Sequence, residues 1–276
     1  MVKWMGSGGT SEKASAGRQS ASKDRQYVEA LARGLEVLSC FEVGDRMLSN
    51  KEIASRTGLA KSTVSRLTYT LTRLGYLKYD EGFGCYRTGA GVLGLGYAAL
   101  ANMKVRDLAR PLMQDLADYS NALVSIAVRD RLSMIYVENC RARNTGTLRV
   151  HVGMRLPLPS TSIGRAFLAA IPSDEQLFLC DQLKVRDPES WEKNEVALRA
   201  AFQNVETKGF CVSLGDWQKD TYAVSVPFVN PEDGDVLSFS VSGPAYALSA
   251  KHLEDDLGPR LVYLVRHLEA QLRTVA

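Results

Sequence analysis

At 276 residues the chain is long enough for two domains of ordinary size, its apolar fraction of 45% is normal for a globular protein, and it contains no run of 18 apolar residues that could span a bilayer. Five widely spaced cysteines (Cys40, Cys85, Cys140, Cys180 and Cys211) with no CxxC, and three histidines (His151, His252 and His267) with no HExxH, argue against a disulfide framework, a zinc centre or histidine-based catalysis, and fit a reducing cytoplasm. The net charge of +3 is uneven: residues 1–102 carry 14 Lys/Arg against 9 Asp/Glu, and residues 53–79 hold Arg56, Lys61, Arg66, Arg73 and Lys78 with no acid, which favours a polyanionic partner.

In chain order, residues 1–24 are rich in Gly, Ser and Lys, lack the apolar core of a secretory signal, and read as a disordered tail. A helix is predicted over about 27–42, with Val28, Leu31, Leu35 and Leu38 stepping by 3, 4 and 3 along one helical face. Gly44-Asp45 ends it. Ser49 followed three residues later by Glu52 is a capping box, so a second helix starts there and breaks at Thr57-Gly58. A third helix runs from after Leu59 to about Leu74, with Val64, Leu67, Leu71 and Leu74 as its core face. Thr63, Arg66, Thr70 and Arg73 keep the same steps on another face, and Lys61, Ser62 and Thr63 occupy the first turn, where amides and hydroxyls can hold phosphate and side chains can reach base edges. Tyr76–Tyr79, a turn at 80–84 and Cys85–Thr88 then read as a hairpin that presents Arg87. Helix, short helix, glycine turn, basic helix and hairpin make a winged helix-turn-helix over residues 25–89. Winged helices also serve as protein-binding modules, usually through acidic or apolar faces, and the acid-free stripe favours DNA.

Gly91-Val92-Leu93-Gly94-Leu95-Gly96 has GxxGxG order rather than the GxGxxG of a dinucleotide loop, so residues 90–102 read as a linker helix with closely packed glycines. Residues 103–276 read as an α/β module. A helix carries Val105, Leu108, Leu112 and Leu116, with a kink expected at Pro111. Strands are predicted at 122–128 and 132–138, helices at 162–170, 174–182 and 191–207, and a second strand pair at 221–228 and 236–242 around a turn at Asn230–Gly234. A last helix over about 249–273 bears Leu253, Leu257, Leu261, Leu264, Leu268 and Leu272, more often core than groove, with a bend at Gly258-Pro259. The hydroxyls of Pro159-Ser160-Thr161-Ser162 precede a helix and either cap it or, with its free amides, bind a carboxylate.

Several stretches resemble the IclR family of bacterial transcriptional regulators: Ala32–Leu38, Ile53-Ala54 through Gly58-Leu59, Lys61–Leu67, Leu74–Leu77 and Tyr86-Arg87, then Val152-Gly153 to Pro157-Leu158, Thr161–Ala166 and Ser240–Ala245. The resemblance covers about residues 26–272. It implies an α+β chain: the winged helix-turn-helix, the linker helix and a GAF-like effector-binding domain over 103–276. It further implies a homodimer or dimer of dimers that binds double-stranded operator DNA and represses or activates catabolic genes in response to a small metabolite, with a carboxylate favoured. On this resemblance Ser162 and Ile163 are loop positions that contact ligand, Ser240 and Ser242 face the pocket, Leu148 and Leu156 line it, and Asp216 is a polar pocket residue. Pro159 stands where the family usually has His, and Ala223 where it often has Cys, so a well-studied member's ligand does not transfer. Trp217 is either an aromatic wall or core. The competing readings are an interaction adaptor built on the winged helix and an enzyme acting on a small acid. The second lacks a GxSxG, a paired-carboxylate pattern or a metal-ligand cluster, so no catalytic residue, cofactor or metal is expected.

Overall fold

A computed structural model describes residues 26–142 and 150–275, which fall into two compact units divided between Val92 and Leu93. The predicted tail and Leu148 lie outside the described residues.

In the first unit, α1 (Glu29–Ser39) is followed by a two-residue strand β1 (Leu48–Ser49), α2 (Asn50–Thr57), α3 (Lys61–Arg73) and the hairpin β2 (Leu77–Asp80) and β3 (Cys85–Thr88). The capping box forms as expected. The Glu52 amide donates to Ser49 Oγ (3.3 Å) and Glu52 Oε2 accepts from the Ser49 amide (2.7 Å), which starts α2. Gly58 ends α2 at φ 70°, a left-handed conformation that a residue with a Cβ enters only with strain. The chain then turns directly into α3. The three strands pair antiparallel in the order β1-β3-β2, and Val37, Ile53, Val64, Leu71 and Leu77 form the core beneath them.

The packing departs from the apolar spacing at two places. Of the predicted α1 stripe only Leu38 joins the core, while Val28, Leu31 and Leu35 are more than half exposed and the fully buried position is Val37. A 3-4-3 spacing defines a face but not what covers it, and within this unit α1 packs chiefly on α2 and α3. Leu74 likewise lies past the end of α3 and is exposed, and the buried positions of α3 are Val64, Thr68 and Leu71.

The linker helix α4 (Ala90–Ala101) has no buried residue. Its glycines are not closely packed as expected: Gly91 touches the Tyr76 ring, but a Cβ at Gly94 or Gly96 would meet open space.

The second unit is a six-stranded antiparallel sheet in the order β6-β5-β4-β9-β8-β7. Its strands are β4 (Leu123–Asp130), β5 (Ser133–Arg141), β6 (Arg155–Pro157), β7 (Cys211–Leu214), β8 (Thr221–Val229) and β9 (Val236–Pro244). On one face pack α5 (Lys104–Ser120), which passes through Pro111 without interruption, and the C-terminal helix. The latter is built from α9 (Ala250–His252), a π-turn over Leu253–Leu257 and α10 (Gly258–Val275), so a widened turn directly precedes Gly258-Pro259, where a bend is expected from the sequence. All six leucines of the predicted stripe are buried in that core. On the other face lie α6 (Ser162–Ala170), α7 (Ser173–Arg186) and α8 (Pro188–Lys208). One winged helix-turn-helix and one helix-flanked curled sheet make up the described chain, the second consistent with a GAF-like fold.

Candidate functional site

In the first unit the outward face of α3 is open. Lys61, Ser62, Ser65, Arg66, Tyr69, Thr70 and Arg73 are exposed, stepping by one and three residues so that they share one side of the helix. Of the expected set only Thr63 is half-buried, at the edge of this face. The Thr70 hydroxyl donates to the Arg66 carbonyl (3.0 Å), leaving its lone pairs outward. Among the described residues no carboxylate pairs with Lys61, Arg66, Arg73 or Arg87. Arg56, counted in the basic run, is different: its guanidinium is locked on Asp45 (3.0 Å from Nη2) and on the Cys40 carbonyl (2.9 Å), so it braces α2 and adds nothing to a free basic surface. Asn50 at the start of α2 reaches the Ser65 and Thr68 hydroxyls at 3.5 and 3.4 Å, fixing α3 against α2.

Arg87 stands on another element, the return strand of the wing, directly opposite Lys78 in the β2–β3 register. Both are exposed. Like charges across a hairpin repel unless an anion lies between them. Lys78 was counted in the basic run but not among the expected contacts, and Ser65 and Tyr69 were not singled out. The last two follow from the chosen stripe by shifting one helical position, a step the sequence spacing already contained.

In the second unit, the sheet face toward α6 is lined with small polar side chains. Ser125 (β4), Ser238, Ser240 and Ser242 (β9), Ser225 (β8) and Ser213 (β7) are all buried. Register places them in cross-strand rows: Ser125 opposite Ser240, Ser240 opposite Ser225, and Ser242 opposite Ala223, itself opposite Ser213. Small side chains let α6 come close. A Cβ at Gly164 would run into the Leu158 carbonyl, so only glycine fits this crossing. Ser162 and Ser225 hydroxyls meet at 2.8 Å, and Cys211 Sγ donates to the Ser162 carbonyl at 3.4 Å. Burial pushes the Cys211 thiol up to about 12, so it stays neutral.

Between this face and the start of α6 is a cavity of about 210 Å³. Leu156, Ser162, Ile163, Ser240 and Ser242, all singled out from the sequence, converge on it. Tyr136, Val150 and Met154 close one side, and Ser213, Trp217, Gln218, Thr221 and Ala223 the other. Trp217 is thus a wall of the cavity as well as packing on the core. None of these lining side chains carries a formal charge. The Ser240 and Ser242 hydroxyls have no partner among the described residues. Thr161 caps α6, its hydroxyl accepting from the Gly164 amide (3.2 Å), while the first-turn amides have no helical acceptor.

Asp216 does not line the cavity. It accepts from Arg165 Nη1 (2.6 Å) and from Ser213 Oγ (3.1 Å), and Arg165, 3% exposed, also donates through Nε to the Pro159 carbonyl (2.8 Å). Asp216 therefore neutralises a buried arginine that holds the 157–164 turn, a role its loose local spacing did not reveal. Residues reasoned from sequence alone also left out Tyr136, which lies far from Ser240 in the chain and reaches the same cavity only through strand pairing. Burial pushes its phenol well above the ordinary range. Among the described residues no cluster of three His, Cys, Asp or Glu could hold a metal, and no helix is long and apolar enough to cross a membrane.

A DNA-reading head with free cations and a separate cavity-bearing sheet define a class: transcription factors that read DNA with one unit and a small molecule with the other. The IclR helix-turn-helix domain matches residues 30–81 and the bacterial transcriptional regulator IclR C-terminal domain matches 97–269. The chain belongs to the IclR family of transcriptional regulators. It is 34% identical over 248 residues to the HTH-type transcriptional regulator TsaQ1/TsaQ2 of Comamonas testosteroni, covering 89% of each chain. An IclR family transcriptional regulator from Brucella abortus superposes with a TM-score of 0.84 at 46% identity, over 94% of this chain and 97% of that one. An IclR homolog from Microbacterium hydrocarbonoxydans, complexed with 4-hydroxybenzoate, shares the fold at a TM-score of 0.69 and 20% identity, over 89% and 99% of the two chains.

Proposed function

We propose that this regulator senses a small monocarboxylate with an apolar, ring-sized body in the cavity between α6 and the serine-lined sheet, and that occupancy alters its hold on operator DNA. The observation that carries the reading is the pair of unpartnered hydroxyls, Ser240 and Ser242, facing the first turn of α6 across the cavity. With no cation in the lining, a carboxylate would be held by α6 amides, by these hydroxyls and by the helix dipole, while Leu156, Met154 and Trp217 cover the body. Such a dipolar site selects against cations and tolerates several acids. The 4-hydroxybenzoate of the Microbacterium protein is a molecule of this class.

Lys61, Ser62, Thr63, Arg66, Thr70 and Arg73 on α3, with Arg87 on the wing, are the proposed DNA contacts, the hydroxyls and Arg87 for phosphate and the α3 arginines for base edges as well. The genes controlled would be catabolic genes for the sensed acid, and the protein would act without catalysis, in the cytoplasm. The exposed Val28, Leu31 and Leu35 face of α1 supports pairing with a second copy, as a homodimer or dimer of dimers. Within the second unit Arg106 donates to the Leu100 carbonyl near the end of α4 (2.8 Å) and to Glu138 of β5 (2.7 Å), which ties the linker helix to the strand that also carries Tyr136. Coupling energies in such regulators are typically about 1–3 kcal/mol.

The test is a gel shift with the protein's own upstream intergenic DNA at two salt concentrations, with and without benzoate and the hydroxybenzoates. A specific shift, weakened by salt as phosphate contacts require and altered by an acid, is expected. Ser242→Leu should fill the cavity, abolish the acid response and leave DNA affinity within about threefold, as expected of a site distant from the reader. A Ser242→Leu protein that responds like the wild type would remove this cavity from the mechanism.

A further inference from the structure

Helix α3 presents one large ring at the centre of its outward face. Ser62, Arg66, Tyr69 and Arg73 step by 4, 3 and 4, and at about 100° per residue they fall within a strip about 60° wide. The buried residues of the helix, Val64, Thr68 and Leu71, lie on the opposite side. Tyr69 is therefore aimed away from the core, between the two arginines, and is 66% exposed. Among the described residues no ring or cation stacks on it and its hydroxyl has no partner. The backbone that carries it is held from behind. Asn50 of α2 reaches the Ser65 and Thr68 hydroxyls (3.5 and 3.4 Å), and the Thr68 hydroxyl also donates to the Val64 carbonyl (2.9 Å). A single exposed aromatic is ordinary on a protein surface. This one is fixed in the middle of a helix that has no acid, with an exposed arginine on each side.

We propose that Tyr69 determines part of the operator sequence, its ring seated against the C5-methyl of a thymine in the major groove, between the base pairs that Arg66 and Arg73 address. This rests on the reading of α3 as the helix that contacts DNA. Geometry sets the position. Along the helix axis Tyr69 stands about 4.5 Å beyond Arg66 and about 6 Å short of Arg73. The two arginines thus span about 10 Å, about three base-pair steps, with the ring over the middle of them. Chemistry sets the base. The thymine methyl is the one apolar group that a base edge presents in the major groove, the other positions being hydrogen-bond donors and acceptors. The body of a phenol ring has nothing to offer those donors and acceptors, whereas it covers a methyl and removes it from water. Arginines alone favour guanines at the two ends and leave the intervening position unread. Tyr69 adds a requirement for thymine there. The hydroxyl at the far end of the ring stays in water or meets a phosphate, and selects no base.

The experiment measures the affinity of the full-length protein for synthetic duplexes of its footprinted operator in which each thymine in turn is replaced by uracil. That exchange removes one methyl and leaves every hydrogen-bonding group of the base in place. For wild type, at least one such duplex should bind about fourfold more weakly, the effect of one buried methyl group. Tyr69→Phe should show the same loss on the same duplex. Tyr69→Ala should bind the unmodified operator more weakly than wild type, bind the thymine and uracil duplexes alike, and unfold at the same urea concentration as wild type, because the side chain supports no core. If no uracil duplex weakens wild type, or if Tyr69→Ala keeps the full uracil effect, the ring reads no methyl and the proposal is overturned. Tyr69→Phe as weak as Tyr69→Ala, with uracil harmless throughout, would overturn it too, by placing the contact at the hydroxyl. Arg66→Ala and Arg73→Ala, measured alongside, separate the two readings. Where they lose affinity, α3 remains the reading helix and only the role of Tyr69 falls; where they bind like wild type, both fall together.

Discussion

Arg66 and Arg73 of the first unit and Arg106 and Arg165 of the second are the same side chain in opposite surroundings. The first pair is exposed on α3 and, among the described residues, pairs with no carboxylate. The second pair is held by partners within the protein, the half-buried Arg106 by Glu138 and the Leu100 carbonyl, the buried Arg165 by Asp216 and the Pro159 carbonyl. A reader of DNA needs cations whose partner arrives from outside. A sensor of a small acid here does without them, because a bare buried cation would bind any anion tightly and respond to none selectively. Charge in the second unit is spent on architecture, and recognition is left to hydroxyls and amides.

The contrast predicts where mutations act. The largest effect on folding should come from Glu138→Gln. It leaves Arg106 in a largely dry site with its opposing charge gone, and breaking one side of a buried pair costs about 3–5 kcal/mol. Arg110, the second partner at 3.3 Å, is mostly solvent-exposed and adds little. Urea denaturation should show the loss in the sensor unit's transition. A change below about 1 kcal/mol would mean that solvent already screens the pair.

Arg66→Ala and Arg73→Ala should do the reverse. Each removes a free surface cation, so the fold should keep its stability to within about 0.5 kcal/mol. Operator affinity should fall by about tenfold or more for each, from an expected cost of about 1–3 kcal/mol per base-edge contact, and the salt dependence should flatten by about one unit of slope where the contact is to phosphate. Equal affinity of both variants and wild type would dismiss α3 as the reading helix, and with it the division of labour between the two sets of arginines.

The parts of this molecule that announce themselves in sequence are those built by neighbours in the chain. The Ser49–Glu52 box, the Gly58 turn, the 80–84 wing turn and the buried leucines from 253 to 272 each rest on spacings of a few residues, and the folded chain has them where the spacing puts them. The short strands β6 and β7 were not predicted, since neither is joined by a tight turn to an equally short neighbour, the signal that marked β2 and β3. Nor could spacing say that the Val28–Leu35 face of α1 would be left uncovered. The cavity was half legible. Leu156, Ser162, Ile163, Ser240 and Ser242 were reached through family resemblance, but the partner choice of Asp216 depends on Arg165 fifty residues away. Tyr136 depends on strand register, which no local pattern contains.

The comparison between free and committed arginines can be sharpened inside the first unit alone, at Arg56. It lies in the same acid-free run as Arg66, yet its hydrogen bond to Asp45 holds that carboxyl below its ordinary value. A carboxyl depressed in the folded state contributes stability at every pH above its unfolded value, near about 3.9, and loses it as pH falls through the lower folded value. Asp45→Asn should therefore lower the urea midpoint of the first unit slightly at pH 7 and pH 5 by the same amount, with the gap to wild type closing toward pH 3. Because both side chains are partly solvent-exposed, the shift should be small and should shrink with salt. Operator binding at neutral pH should hardly change, since Arg56 freed from Asp45 remains pinned to the Cys40 carbonyl. A gain in DNA affinity in Asp45→Asn would show instead that Arg56 is a fifth reading cation that Asp45 holds in reserve, and the boundary between architectural and reading charge would run through α2 rather than between the units.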